Sequence, residues 1–390
     1  MILEYGFENF FSFKEEVSVS FRLDSNCPES VSKGKKVSSA ICIKGANGSG
    51  KTQLLKALAF LRHFSCFSFS DKPEDTIGLL PFFERNTPSK FYIEFIQYNV
   101  EYRYELEATT EAVVRERLYR KSNIKRVKIF ERINNEIVSF TKSYSEINQI
   151  KLRKNASIIS TLKQYEITVL DDVYIFFNSI DTNVTFSGFD IDSHDINAIS
   201  RFLSNTSDKK ILPFIVDFIQ SCDTGVSDIQ IQSYKDKDGT KIFYPVFLHQ
   251  SNGKSYQVSV FNESSGTKTL FRVLVGYYMS LLIGGLLVVD EIDLSLHPHI
   301  IPKLISLFLD SETNERSAQI IFVTHDTEIM EQMGRYRTYL VTKEENESFA
   351  YRLDEIPGDL LRNDRPIRPM YDSGKIGGVP KNMRLKKKSS

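Results

Sequence analysis

Gly45, Gly50, Lys51 and Thr52 follow the order G-x-x-x-x-G-K-[ST] in the run Gly45-Ala46-Asn47-Gly48-Ser49-Gly50-Lys51-Thr52. Glycine at these positions lets backbone N–H groups close around phosphate oxygens, because no Cβ stands in the way. The lysine amine then reaches the outer phosphates, and the threonine hydroxyl takes a place on Mg²⁺. The expected ligand is a nucleoside triphosphate. Gly45, Asn47, Gly48, Ser49, Gly50, Lys51 and Thr52 are the expected contacts.

Two further groups extend this chemistry. Leu286-Leu287-Val288-Val289 is an apolar run that ends in Asp290 and Glu291. A carboxylate at a strand's C-terminal end suits Mg²⁺, the expected role of Asp290, together with Thr52. Glu291, one residue on, is the candidate base for an attacking water. Gln319-Ile320-Ile321-Phe322-Val323-Thr324 is another apolar run and ends at His325, a candidate contact to the γ-phosphate. Gln97, between two strand-like runs, is a further candidate Mg²⁺ ligand through its amide oxygen.

The elements that must position these groups are legible in the periodicity. Ala40-Ile41-Cys42-Ile43 reads as a buried strand, and Leu54, Leu55, Ala57, Leu58 and Leu61 recur at helical spacing. Strand, glycine loop and helix are the context the phosphate pattern needs, with the helix N-terminus adding partial positive charge. Residues 2–7 and 16–23 suggest a hairpin about the Phe10–Phe13 turn. The runs 92–96, 102–106, 113–120, 127–133 and 136–140 continue a β-rich portion. Residues 158–162, 196–203 and 211–219 have helical spacing, and 229–232, 241–247 and 256–261 return as strands. Expected divisions are 1–141 as a first half, 142–225 as an inserted lobe, 226–345 as a second half and 346–390 as a tail.

These residues resemble the ABC-class ATPases, specifically the SMC/RecF/OLD-like branch. Glu8-Asn9-Phe10-Phe11-Ser12-Phe13-Lys14 is similar to the branch's opening "ENFRSFK", with Phe11 in place of arginine. Asn47 fits the "NGSGKT" form. Asp290-Glu291-Ile292-Asp293-Leu294-Ser295-Leu296-His297-Pro298 resembles "DEIDxSLHP", and Glu263-Ser264-Ser265-Gly266-Thr267 resembles an "ESSGT" signature. Within the class, the chain looks like stand-alone bacterial ATPases of abortive-infection and other anti-phage operons. Their habit of a basic, glycine-containing tail is matched by Arg365–Pro380.

The resemblance implies a fold and a mechanism. The fold is α/β, a P-loop NTPase of ABC-ATPase head type with a β-rich N-terminal subdomain and an inserted, mostly helical lobe. The opening turn would lie near the adenine. Ser265 and Gly266 would face the ATP of a second subunit, so a homodimer or higher homo-oligomer with composite sites is expected. ATP and Mg²⁺ are the implied cofactors, with slow hydrolysis. A separate effector, TOPRIM-like or another nuclease, is the implied partner.

Composition bounds the alternatives. The chain has 390 residues with 50 basic and 50 acidic, so formal charge is zero. That disfavours a broadly basic nucleic-acid coat and leaves only a local patch for the rival reading, a RecF/SMC-like DNA-repair ATPase. Four cysteines without metal spacing, Cys27, Cys42, Cys66 and Cys222, fit a reduced, cytoplasmic chain. No signal segment or membrane span is expected. Asp354, Glu355, Asp359 and Asp364 follow no strand-Glu…Asp-x-Asp order, and no His-Asn-His set is evident, which disfavours an internal nuclease. Lys386-Lys387-Lys388 reads as a solvated run.

Overall fold

The apolar runs that end in functional residues are the middle of one sheet. In the computed structural model, which describes residues 1–122, 125–186, 188–189, 195–222, 224–357, 361 and 365–379, six strands lie side by side. Their spatial order is Glu347–Arg352, Thr338–Glu344, Ala40–Gly45, Gln319–Val323, Leu286–Val289 and Ile180–Thr182. All neighbours are parallel except the first pair. A parallel sheet is buried on both faces, so its strands must be apolar on both. Ile41, Ile43, Ile321 and Val323 enter one core; Ala40, Cys42, Ile320 and Phe322 enter the other. Because the strands are parallel, their C-terminal ends bring Gly45, Asp290 and His325 to one edge.

The first core is closed by helix Lys51–Phe67 and a seven-stranded antiparallel sheet. Its order is Val17–Ser20, Ile2–Glu8, Ser89–Gln97, Val100–Ala108, Val113–Ser122, Lys125–Ile133 and Glu136–Phe140. Alternation explains its two faces. Tyr102, Tyr104, Leu106 and Ala108 point inward and are buried. Between them, Arg103 and Glu105 point outward and pair at 2.6 Å, while Glu94 meets Arg22 at 3.0 Å and Arg103 at 2.7 Å. This outer face is self-neutralised, in keeping with the zero net charge.

The expected 142–225 lobe does not pack as one unit. Ile158, Ile159, Leu162, Val173, Phe176 and Phe177, from helices Ile158–Gln164 and Asp171–Asn178, lie in the first core. Phe176 stacks on Phe95 of the antiparallel sheet with centroids 3.8 Å apart. The portion that packs on the other side begins with helices Ile196–Asn205 and Ile211–Ser221. It continues through a three-stranded sheet, Val226–Lys235, Lys241–Ser251 and Lys254–Ser259, and adjoins helix Ser265–Ile283. Helical spacing marks Ile158–Gln164, Ile196–Asn205 and Ile211–Ser221 but not Asp171–Asn178; which core buries each depends on partners far away in sequence. The Lys386–Lys388 run, Asp359, Asp364 and Pro380 lie outside the described residues. Among the described residues, no helix is long and apolar enough to cross a membrane.

One buried ion pair fastens the segment before helix Ile158–Gln164 to the sheet. Arg132 and Glu116 have fully buried side chains and meet at 3.3 Å. Arg132 also donates to the Arg153 carbonyl at 2.6 Å. Glu116 accepts from the Ile158 N–H at 3.1 Å and from the Tyr104 hydroxyl at 3.0 Å. Burial pushes the Glu116 carboxyl upward, with the arginine and these donors pulling the other way. Removing one partner strands the other charge in the core. Arg132→Met should therefore lower unfolding stability by about 3–5 kcal/mol in a urea titration. A loss under about 1 kcal/mol would show that the pair is dispensable.

Candidate functional site

The phosphate-loop pattern folds as its residue types require. Strand Ala40–Gly45 ends in the loop, and helix Lys51–Phe67 starts at the lysine with no side-chain cap on its N-terminus. Its first N–H groups are therefore left to an anion. Gly48 and Gly50 have φ of 73° and 109°, which side chains rarely adopt. A Cβ on Gly50 would stand 2.8 Å from the Ser348 hydroxyl and 3.1 Å from the Phe13 ring. Asn47 and Gly48 are exposed, and Ser49 is buried beneath them.

Lys51 bends back onto the loop: its Nζ donates to the carbonyls of Gly45 at 3.0 Å and Ala46 at 2.9 Å. Burial lowers its affinity for the proton, and Asp290 raises it again. Among the described residues this buried ammonium, held by neutral carbonyls, has no ion-pair partner, which a phosphate would supply. Thr52 and Asp290 lie far apart in sequence, yet the Thr52 hydroxyl donates to Asp290 Oδ2 at 2.7 Å. Burial holds the Asp290 carboxyl above the usual range; Thr52, the Glu291 N–H, Lys51 and His325 pull it down. Uncapped helix, glycine cradle, lysine and the Thr52–Asp290 pair together fit a triphosphate with its Mg²⁺.

Glu291 has φ of 51°, a conformation that costs a glutamate about 1 kcal/mol or more. It lines a cavity of about 210 Å³ together with Asp181, Thr182, Arg272, Gly276 and Ser295. The proposed base thus stands between its own strand and helix Ser265–Ile283. His325 is pinned through its backbone: its N–H donates to Asp293 Oδ2 at 2.9 Å, and its carbonyl accepts from Lys44 Nζ at 2.7 Å. Its ring is exposed.

The remaining expected residues lie elsewhere. Ser264, not Ser265, caps helix Ser265–Ile283, accepting from the Thr267 N–H at 3.1 Å. Ser265 is left exposed on the first turn, and a Cβ on Gly266 would lie 3.5 Å from the Ser295 carbonyl. Gln97 is not brought to the site. It ends strand Ser89–Gln97 beside Met1, whose ammonium donates to the Ile96 carbonyl at 2.8 Å. The next residue, Ile2, bonds Gln319 at 2.6 Å, at the start of the strand whose other end carries His325. Gln97 therefore sits at the opposite edge of the molecule from the loop. The turn at Phe10–Phe13 braces the phosphate loop: the Ser12 N–H donates to Gln53 Oε1 at 3.1 Å, and its hydroxyl lies 2.6 Å from that of Ser348. Ser348 in turn donates to the Ser49 carbonyl at 2.6 Å.

Asn183 escaped the sequence reading. It follows strand Ile180–Thr182, which pairs in parallel with Leu286–Val289. Its amide clasps the Asp290 backbone from both sides: Nδ2 donates to the carbonyl at 3.0 Å, and Oδ1 accepts from the N–H at 2.8 Å. Its neighbourhood, rich in Asn, Ser and Asp, reads as a loop, and no local signal marks a partner so distant in sequence. Asn183→Ala should loosen Asp290 and weaken Mg²⁺-dependent nucleotide binding about tenfold, the usual range for residues that hold a ligand in place. Titration of a fluorescent ATP analogue with and without Mg²⁺ measures this; an unchanged dissociation constant would refute it.

A family profile described as "AAA domain, putative AbiEii toxin, Type IV TA system" matches residues 40–331, and the chain belongs to that family. The match spans the phosphate loop, Asp290-Glu291 and His325. No curated protein matches the chain. Among solved structures it is similar to cbiO1 from Clostridium perfringens, part of the ABC transporter complex cbiONQ. That likeness has 11% identity over 90% of this chain and 89% of the other, with a TM-score of 0.33. The family match and the phosphate-loop geometry together show an α/β P-loop ATPase domain, in a family whose description names a toxin and a type IV toxin–antitoxin system.

Proposed function

We propose that this chain binds Mg·ATP and hydrolyses it slowly, as a switch that controls a separate effector protein. The observation that carries this is the 2.7 Å contact between Thr52 and Asp290 below the uncapped helix and Lys51. When bound, Mg²⁺ would be held by Thr52 and Asp290 and would offset charge on the phosphates. Lys51 and the helix N-terminus would hold the outer phosphates. Glu291 would accept the proton of the attacking water, whose oxygen bonds to phosphorus as the bond to ADP breaks. His325 would face the γ-phosphate. Asn183 would keep Asp290 in place.

Ser265 is exposed on the first turn of helix Ser265–Ile283, beside the half-buried Gly266, while Ser264 caps the Thr267 N–H. We assign Ser265 and Gly266 to the nucleotide of a second copy, which makes ATP the link in a homodimer or higher homo-oligomer. Turnover then releases that link and changes the shape offered to a partner. The family description, which names a toxin–antitoxin system, supports a two-component anti-phage setting with an effector as that partner. The balanced ion pairs on the antiparallel sheet favour this over a DNA-repair ATPase.

Lys51→Ala should abolish ATP binding, whereas Glu291→Gln should bind ATP, turn over at least about a hundredfold more slowly and accumulate as a dimer. Mixing Lys51→Ala with Ser265→Arg chains leaves one intact composite site, so part of the activity should return. ATP binding by Lys51→Ala at wild-type affinity, or no recovery among proven mixed dimers, would count against the respective assignments. The controlling role is tested by phage challenge of cells carrying the chain with and without its neighbouring gene. Protection should need both genes and an intact Lys51. Full protection by this chain alone would overturn the effector reading.

A further inference from the structure

Lys44 precedes Gly45 in the central strand and is only 3% exposed. Its ammonium donates to the His325 carbonyl at 2.7 Å and lies 5.1 Å from the centre of the Tyr371 ring. Asp326, Asp293 and Asp372 stand around it at longer range, and burial is what chiefly acts on it. One carbonyl is a thin partner for a buried cation, and the face of an aromatic ring supplies further negative potential. Asp293 accepts from the His325 N–H at 2.9 Å and from the Thr324 hydroxyl at 3.2 Å. The backbone of His325 is thus gripped by an anion on one side and a cation on the other.

Tyr371 belongs to the C-terminal segment, and that segment is built to stay where it is. The Ile367 and Arg368 N–H groups donate to the Glu331 carboxylate at 2.8 Å and 2.7 Å. Glu331 lies in helix Thr327–Met333, which begins two residues after His325. Ile367 and Ile376 pack with Met330, Leu340 and Leu353 in a small core of their own. The Tyr351 hydroxyl donates to the Ile376 carbonyl at 2.6 Å, and that of Tyr371 to Gly378 at 3.1 Å. Gly377 and Gly378 take φ of 77° and 74°, and any Cβ on Gly377 would overlap the Tyr351 hydroxyl. Gly377 and Gly378 therefore allow this docking where a residue with a side chain would not.

We propose that Lys44 and Tyr371 are positioning residues for His325, so that the docked segment 365–379 is part of the ATP-hydrolysing site. Tyr371 shields the Lys44 ammonium from water, Lys44 holds the His325 carbonyl, and the ring of His325 is thereby set relative to Asp290. Releasing the segment would hydrate Lys44 and free the histidine without altering the phosphate loop. The inference rests on the ATPase reading above.

The test uses the full chain, with ATP affinity and steady-state turnover measured separately. Lys44→Met and Tyr371→Leu should each lower kcat about tenfold while the dissociation constant for ATP stays within about twofold. Tyr371→Phe, which keeps the ring, should retain most of the wild-type kcat. In a His325→Ala background, Lys44→Met should cost nothing further, because both act through the same residue. If Lys44→Met does not fold, Tyr371→Leu and Tyr371→Phe carry the comparison alone. Wild-type kcat in folded Lys44→Met or Tyr371→Leu, or losses that simply add in the double variant, would overturn the proposal. So would a lower Tm with kcat per folded molecule unchanged, the mark of a merely structural role. A wild-type chain that binds no ATP sinks the switch reading itself, whereas normal turnover that ignores Lys44 sinks only this inference.

Discussion

The hydrogen bond from Thr52 to Asp290 sets the terms for the rest of the molecule. It joins the first turn of the loop helix to the end of a strand that is not its sheet neighbour, since Gln319–Val323 lies between. For the two groups to meet at 2.7 Å, three parallel strands must keep register along their whole length. Register in a sheet buried on both faces is enforced by the alternation of Ile41, Ile43, Ile321 and Val323 toward one core and Ala40, Cys42, Ile320 and Phe322 toward the other. A slip by one residue would exchange the two sets and carry Asp290 away from Thr52. The two hydrophobic cores are therefore conditions of the site as well as of stability.

Several of the buried charges inside this framework are each held by more than one group. Lys51 rests on loop carbonyls, and Asp290 on Thr52 and the clasp of Asn183. Arg132 and Glu116 share partners from three segments of the chain. Taking such groups out of water is costly, and a single partner seldom compensates. The two cases differ in what they leave over. Arg132 and Glu116 satisfy each other and stay inert, whereas Lys51 meets only neutral oxygens and is left with positive charge to offer an incoming phosphate.

What was legible in the sequence follows from the same physics. The phosphate loop, Asp290-Glu291 and His325 stand at the ends of apolar runs, and both the motif and its strand are local, so position along the chain predicted position in space. Gln97 was misleading because a glutamine at a hairpin end looks alike at either edge of a sheet. The bonds of Met1 to Ile96 and of Ile2 to Gln319 put this hairpin at the far edge. Asn183 was invisible because its meaning comes from the parallel pairing of Ile180–Thr182 with Leu286–Val289, a contact between segments more than a hundred residues apart. The helical spacing at 158–162 is legible, but an apolar stripe does not say which core will receive it, and the helix Asp171–Asn178 is not among the stretches the spacing marks.

The same distinction explains why both ends of the chain converge on the loop. A glycine-rich loop gains access to phosphate by giving up side chains, and with them the packing that would fix its shape. That rigidity has to be supplied from outside. Ser12 and Ser348 provide it here, the first from the opening turn and the second from the hairpin after strand Thr338–Glu344, linked to each other at 2.6 Å and to the loop through Ser49. Gly50 faces Ser348 and Phe13 with no room for a side chain between them. The opening turn and the last hairpin are therefore in direct hydrogen-bonded contact with the phosphate cradle. A switch needs such a route between the site where the nucleotide changes and the surfaces a partner can reach.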